Sequence, residues 1–119
     1  MSVTYMLLIV EKPGDRAALP DGVGEARYDQ MLRYSAELKE RGLLTMSQSL
    51  KTDTTGARVS GQDKQVVVRD GPFAEAKEMI GGFFLLTCES REQAIDIARR
   101  CPAVAWGTVE VREFGPCFT

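Results

Sequence analysis

Two segments of this chain are apolar on both parities, and that feature constrains the fold more than any other. Thr4 to Lys12, TYMLLIVEK, places Tyr5, Leu7 and Ile9 on one side of an extended strand and Met6, Leu8 and Val10 on the other. Gly82 to Cys88 repeats the pattern, with Phe84 and Leu86 opposed to Phe83 and Leu85. Successive side chains of a strand point to opposite faces, so such strands need cover on both sides. Whatever surrounds them must supply two apolar layers.

The remaining segments say what those layers are. Pro13 to Gly24 is rich in Pro, Gly and Asp and reads as a loop. A helix is predicted from about Glu25 to Arg41, with Tyr28, Met31, Leu32, Ser35 and Leu38 at helical spacing and Gly42 as its C-terminal stop. Leu43 to Leu50 reads as a strand. Ala57 to Ser60 and Gln65 to Arg69 read as two short strands joined by a Gly61 to Lys64 hairpin loop. Ser90 followed by Gln93 is a capping box that opens a second helix. Ala94, Ile95, Ala98 and Cys101 form its inner face, and Pro102 stops it. A last strand, Gly107 to Phe114, alternates Val109 and Val111 with Thr108, Glu110 and Arg112.

This order is an α+β, ferredoxin-like split βαβ sandwich with a hairpin between its halves, in a single domain over 1–119. Two helices cover only one face of its sheet. The cheapest cover for the other is a second copy of the same sheet, so a homodimer packed sheet to sheet is expected.

Composition narrows the function classes. A net charge of −2 without a clustered basic face argues against a nucleic-acid partner. No segment has the length of a membrane span, and the N-terminus lacks the pattern of a secretory signal, so a cytoplasmic location is expected. Cys88, Cys101 and Cys117 have no metal or disulfide spacing and read as two buried thiols and one in the C-terminal tail. The chain contains no histidine, which removes Ser-His and Cys-His pairs and leaves acid–base work to Asp, Glu, Lys, Tyr or Cys.

The segment RDGPFAEAKEMIGGFFLL, Arg69 to Leu86, sets a charged block between two apolar strands. Asp70 has two readings. It can cap a short helix over Phe73 to Met79, with Pro72 and Glu75 in the first turn, or it can act as a general acid or base beside an apolar pocket. Glu75 and Glu78 share a face of such a helix while Lys77 turns away, whereas an irregular loop lets Lys77 meet either carboxylate. Two carboxylates with Asp70 are too few oxygen ligands for a hard cation, and no metal is expected. Arg112 either pairs with a carboxylate such as Glu110 or grips an anionic ligand between the sheets. Tyr5 and Trp106 read as packing residues, and Gly81-Gly82 as a bulge or turn where backbone approaches backbone.

The opening YMLLI, the block DGPFAEAKEMIGGFFLL, the helix REQAIDIARRCP and the ending GTVEVREF together resemble the YCII-related proteins, in particular the subgroup named for its Asp-Gly-Pro-Phe motif. The resemblance implies a dimeric α/β barrel of ferredoxin-like subunits. It also implies a suspected small-molecule enzymatic role, with some relatives associated with extracytoplasmic-function sigma factors. A histidine–aspartate dyad thought to serve distant relatives has no counterpart here, and the usual Glu-Val-Arg-Pro ending is replaced by Glu110, Val111, Arg112 and Glu113. The expectation is a polar or anionic metabolite bound at the dimer interface, without a cofactor. Asp70 is the candidate acid or base, and Phe73, Glu75, Lys77, Glu78 and Arg112 are the ligand contacts. Whether the chain is an enzyme stays open, and the alternative is a non-catalytic regulatory or interaction module.

Overall fold

The computed structural model describes residues 2–119. Strand β1 (Val3–Glu11) is followed by helix α1 (Val23–Glu40) and strand β2 (Leu44–Ser49). Next come the hairpin strands β3 (Ala57–Gln62) and β4 (Gln65–Asp70). Strand β5 (Met79–Cys88), helix α2 (Arg91–Arg99) and strand β6 (Thr108–Glu113) complete the chain. The main sheet has the order β2-β5-β1-β6 and every neighbouring pair is antiparallel, while β3 and β4 form a separate two-stranded sheet. This α+β arrangement is compatible with a ferredoxin-like fold.

The helix ends follow local chemistry. Gly42, at φ 73°, closes α1: its own N–H bonds to the Lys39 carbonyl and the Leu43 N–H to that of Leu38, the paired bonds of a Schellman stop. The α1 N-terminus lies two residues earlier than the periodicity predicts, because Gly22, at φ 82°, turns the chain into the helix with no side-chain cap. At α2 the expected N-cap forms, with the reciprocal Gln93 bond reaching one residue before the cap. The Ser90 hydroxyl accepts the Gln93 N–H at 3.1 Å, and the Gln93 side chain accepts the Glu89 N–H at 2.7 Å.

The core lies between the two helices and one sheet face. Tyr5, Leu7 and Ile9 of β1 and Phe84, Leu86 and Cys88 of β5 pack under Tyr34, Leu38, Ala94, Ile97 and Ala98. Tyr34 meets Phe84 edge-on at 5.3 Å, and its hydroxyl donates to the Ile97 carbonyl at 2.5 Å, tying α1 to α2. Of the inner positions expected on α1, Leu38 is buried and Met31 and Ser35 are half-buried. Tyr28 and Leu32 are about half exposed, because they overhang a cleft rather than the core. On α2 the deeply buried isoleucine is Ile97, and Ile95 is only half-buried.

The other sheet face is open in the single chain. The register pairs Met6 with Leu85 and Arg112, and Leu8 with Phe83 and Glu110, so these residues share that face, joined by Met46 opposite Leu85. Met6, Leu8, Phe83 and Leu85 are half-buried. The β3–β4 hairpin stands away from the core, with all of its residues exposed. Its reversal uses only Asp63 and Lys64, both at positive φ, a tighter turn than the Gly61 to Lys64 loop predicted.

One local expectation is overturned: residues 71–78 are irregular and form no helix. Asp70 is the last residue of β4 and caps nothing, and the Gly71–Pro72 peptide is cis. The Phe73 N–H donates instead to Asp53 Oδ2 at 3.1 Å, a carboxylate from the preceding turn at Asp53–Thr55.

Candidate functional site

The Asp-Gly-Pro-Phe segment builds a clasp at the root of the hairpin. The Gly71 N–H donates to the Gly56 carbonyl at 2.8 Å, and a Cβ on Gly71 would overlap the Asp53 carbonyl, so a side chain there is excluded. Phe73 is 6% exposed, with the guanidinium of Arg58 at 4.1 Å and that of Arg69 at 5.1 Å from its ring centre. Such stacking is favourable because the negative face of the ring meets a weakly hydrated planar cation. Both arginines also reach Glu75: Arg69 through a short ion pair and Arg58 at 3.5 Å. Hydrogen bonding from Arg69 holds the exposed Glu75 carboxyl below the usual glutamate range.

The residues singled out from sequence are therefore only partly assembled. Phe73 and Glu75 share one cluster, completed by Arg58 and Arg69, which the sequence reading had not connected to them. Asp70, Lys77 and Glu78 are exposed nearby. Arg112 is on the distant edge strand β6 and pairs with Glu110 at 3.1 Å, the intra-strand pairing weighed above.

The concave surface is elsewhere. A cleft of about 490 Å³ opens between α1, the loop leading into it and the sheet. None of the six residues above lines it. Ile9 and Phe84 line it from the sheet, Met31 and Leu32 from α1, and Leu19 from the loop. Ser35 of α1 and Ser47 of β2 face each other inside it with their hydroxyls 3.1 Å apart.

One end of the cleft is fixed by an ion pair. Arg16 donates from Nε to Glu11 Oε1 at 2.5 Å and from Nη2 to Glu11 Oε2 at 3.2 Å. It also reaches the Leu50 carbonyl at 2.7 Å and the Gly81 carbonyl at 3.1 Å. The Glu11 side chain is 10% exposed, so the bidentate partner compensates a nearly buried carboxylate. The β1–β5 register shifts between Ile9 and Val10, paired with Gly82 and Ile80, which leaves Gly81 as a bulge residue. A Cβ on Gly81 would overlap both Glu11 and Arg16, so the bulge and the missing side chain together make room for the pair. Beside Gly81, a Cβ on Gly82 would lie 2.9 Å from the Gln48 carbonyl, the close backbone approach expected of this glycine pair.

Away from that ion pair, Arg27 stacks on Trp106, with its guanidinium 4.7 Å from the ring centre, and both residues line the cleft. Among the described residues no carboxylate lies within ion-pairing distance of Arg27. Sequence reasoning treated Trp106 as packing and 13–24 as an ordinary loop. The one available signal was a serine, Ser35, at an otherwise apolar helical position. Among the described residues no three His, Cys, Asp or Glu side chains converge as metal ligands, and no helix is long and apolar enough to cross a membrane.

Over 60 residues the chain is 40% identical to the Uncharacterized protein R00369 of Rhizobium meliloti (strain 1021), a match covering 50% of this chain and 48% of that protein. The chain therefore spans about half the length of this curated relative. The YCII-related domain matches residues 3–116, nearly the full length, and the chain belongs to the YCII-related family.

Proposed function

We propose that this chain, as a homodimer in the cytoplasm and a member of the Asp-Gly-Pro-Phe subgroup, binds a small organic metabolite in the cleft between α1 and the sheet. The observation that carries this reading is the cleft itself. Its volume of about 490 Å³ suits a small ligand, and its apolar walls carry a few placed polar groups, Ser35, Ser47 and Arg27. Support for the dimer comes from the open apolar sheet face and from the hairpin, where Val59, Val66 and Val68 are 65%, 76% and 63% exposed. Burying them at a self-interface would remove an exposed apolar stripe of the single chain and form the barrel.

The acid–base role of Asp70 is a separable part of the proposal. The hairpin register puts Asp70 on the face that carries Val59, Val66 and Val68, so a partner covering that stripe would also take Asp70 out of water. Lys77 and Glu78 would then border an interface site instead of the α1 cleft, with Phe73 and Glu75 behind it among Arg58 and Arg69 on the opposite hairpin face, and Arg112 reaching it only from the second copy. The interaction-module reading, with the sigma-factor link of its relatives, draws on the same exposed valines and assigns them to a different protein.

A fragment screen followed by amide chemical shifts tests the assignment. Hits that move Gly24, Ser35 and Ser47 support the α1 cleft. Hits that move Asp70 to Glu78 and weaken in Asp70→Asn transfer the ligand to the interface, and an absence of hits refutes small-molecule binding. Light scattering should give twice the 13.1 kDa chain mass, falling to the monomer in a Val66→Lys, Val68→Lys variant.

A further inference from the structure

The cleft contains two guanidinium groups, and they differ in what remains free to bind. Arg16 directs four N–H bonds to Glu11, Leu50 and Gly81 and is consumed by the architecture. Arg27 has its guanidinium carbon 4.7 Å from the Trp106 ring centre and makes neither an ion pair nor a hydrogen bond with any described residue. A guanidinium held over a ring by cation–π attraction, with no acceptor bonded to it, keeps its N–H donors available, and their planar fork suits bidentate carboxylate recognition.

The charge balance limits the anion. Glu11 and Arg16 cancel each other, and Asp15 adds a negative charge at the exposed rim. That leaves Arg27, half-buried, as the lining cation without an ion-pair partner, and an exposed carboxylate on the same cleft, a balance that suits one negative charge better than a phosphate dianion. Met31, Leu32 and Leu19 form an apolar wall on the same cleft. The Ser35 and Ser47 hydroxyls, once bonded to each other, keep one O–H donor and spare lone pairs for a single further polar atom.

We propose that the ligand is an amphipathic monocarboxylate whose carboxylate is held by Arg27 and whose apolar body lies along Met31, Leu32 and Leu19. This rests on the α1 cleft being the binding site. Trp106 is the single tryptophan of the chain, so its fluorescence reports directly on the Arg27 position.

The test titrates the full chain with hexanoate, hexanamide, hexylamine and hexyl phosphate, following Trp106 fluorescence and the cleft amides. Hexanoate should bind about tenfold tighter than hexanamide, as expected for one charge-assisted hydrogen-bonded contact. That preference should vanish in Arg27→Gln while hexanamide binding persists, which also shows that the variant is folded. Equal affinity for all four probes, with cleft amides moving, leaves the site standing and overturns the ligand class. Preference for hexylamine or hexyl phosphate overturns it as well. If no probe perturbs Trp106 or the cleft amides, the cleft reading itself fails and this inference falls with it.

Discussion

Replacing Arg16 with methionine separates an architectural ion pair from a decorative one. The substitution keeps the apolar stem but removes both bonds to Glu11 and those to the Leu50 and Gly81 carbonyls. Breaking a fully buried pair from one side costs about 3–5 kcal/mol, because the remaining charge loses its compensation. Arg16 is 33% exposed, so water can partly replace it, and about 2 kcal/mol is the appropriate figure. At about 4 °C per kcal/mol for a domain of this size, Tm should fall by about 8 °C in a calorimetric or fluorescence melt. Glu11→Gln should cost about 1 kcal/mol, since the amide can still accept one of the bonds. The double variant should be less destabilised than the two single effects added, with a coupling of about 1 kcal/mol. A Tm change below about 2 °C for Arg16→Met, or additivity within about 0.5 kcal/mol, would show that the pair does not hold the loop on the sheet.

At the hairpin root, Asp53→Ala should lower the urea unfolding free energy by about 1.5 kcal/mol, through loss of the charge-assisted bond to the Phe73 N–H, whereas Asp70→Asn should change it by less than about 0.5 kcal/mol. Equal effects would contradict the clasp. Ser90→Ala should cost about 1 kcal/mol in the same assay, the usual worth of a helix N-cap. For Glu75, Arg69 depresses the folded-state value, so the stabilising contribution is present above the unfolded glutamate value and is lost as pH falls through the lower, folded one. Side-chain carboxyl NMR should place the Glu75 midpoint below the ordinary range in the wild type and restore it in Arg69→Gln.

The strands and helices were legible because each carries its own periodicity or stop signal. Ser90 with Gln93 marked one helix start and Gly42 one helix end, and both act as read. The two-sided apolar character of β1 and β5 pointed to a sheet apolar on both faces; the helices cover one, and the other is open in the single chain. The segment after Asp70 was misread because its capping signature is local, while the bond that wins is not. Asp53 is twenty residues from Phe73 in sequence and reaches it only through the hairpin fold. The cleft was invisible for a similar reason. Glu11, Arg16, Arg27, Ser47 and Trp106 come from five separate segments, none of them with a motif. Their types are those of ordinary surface and packing residues until the register, including the bulge at Gly81, brings them around one space.

The hairpin enters and leaves the body through adjacent points, since Gly56 and Gly71 are joined by a single 2.8 Å hydrogen bond. A segment whose two ends meet can be exchanged without altering the path of the chain on either side. The β3–β4 arm is thus a natural grafting position. Hairpins of other lengths, or a fluorescent or epitope tag, should be accepted by the fold there while Phe73 continues to seal the root, provided the incoming strands keep arginines at the positions of Arg58 and Arg69; the self-association proposed for the Val59, Val66 and Val68 stripe would be lost with it. The same property gives variation among related chains an obvious place to accumulate, in an appendage that can be rewritten while the sheet, its helices and the cleft keep their geometry.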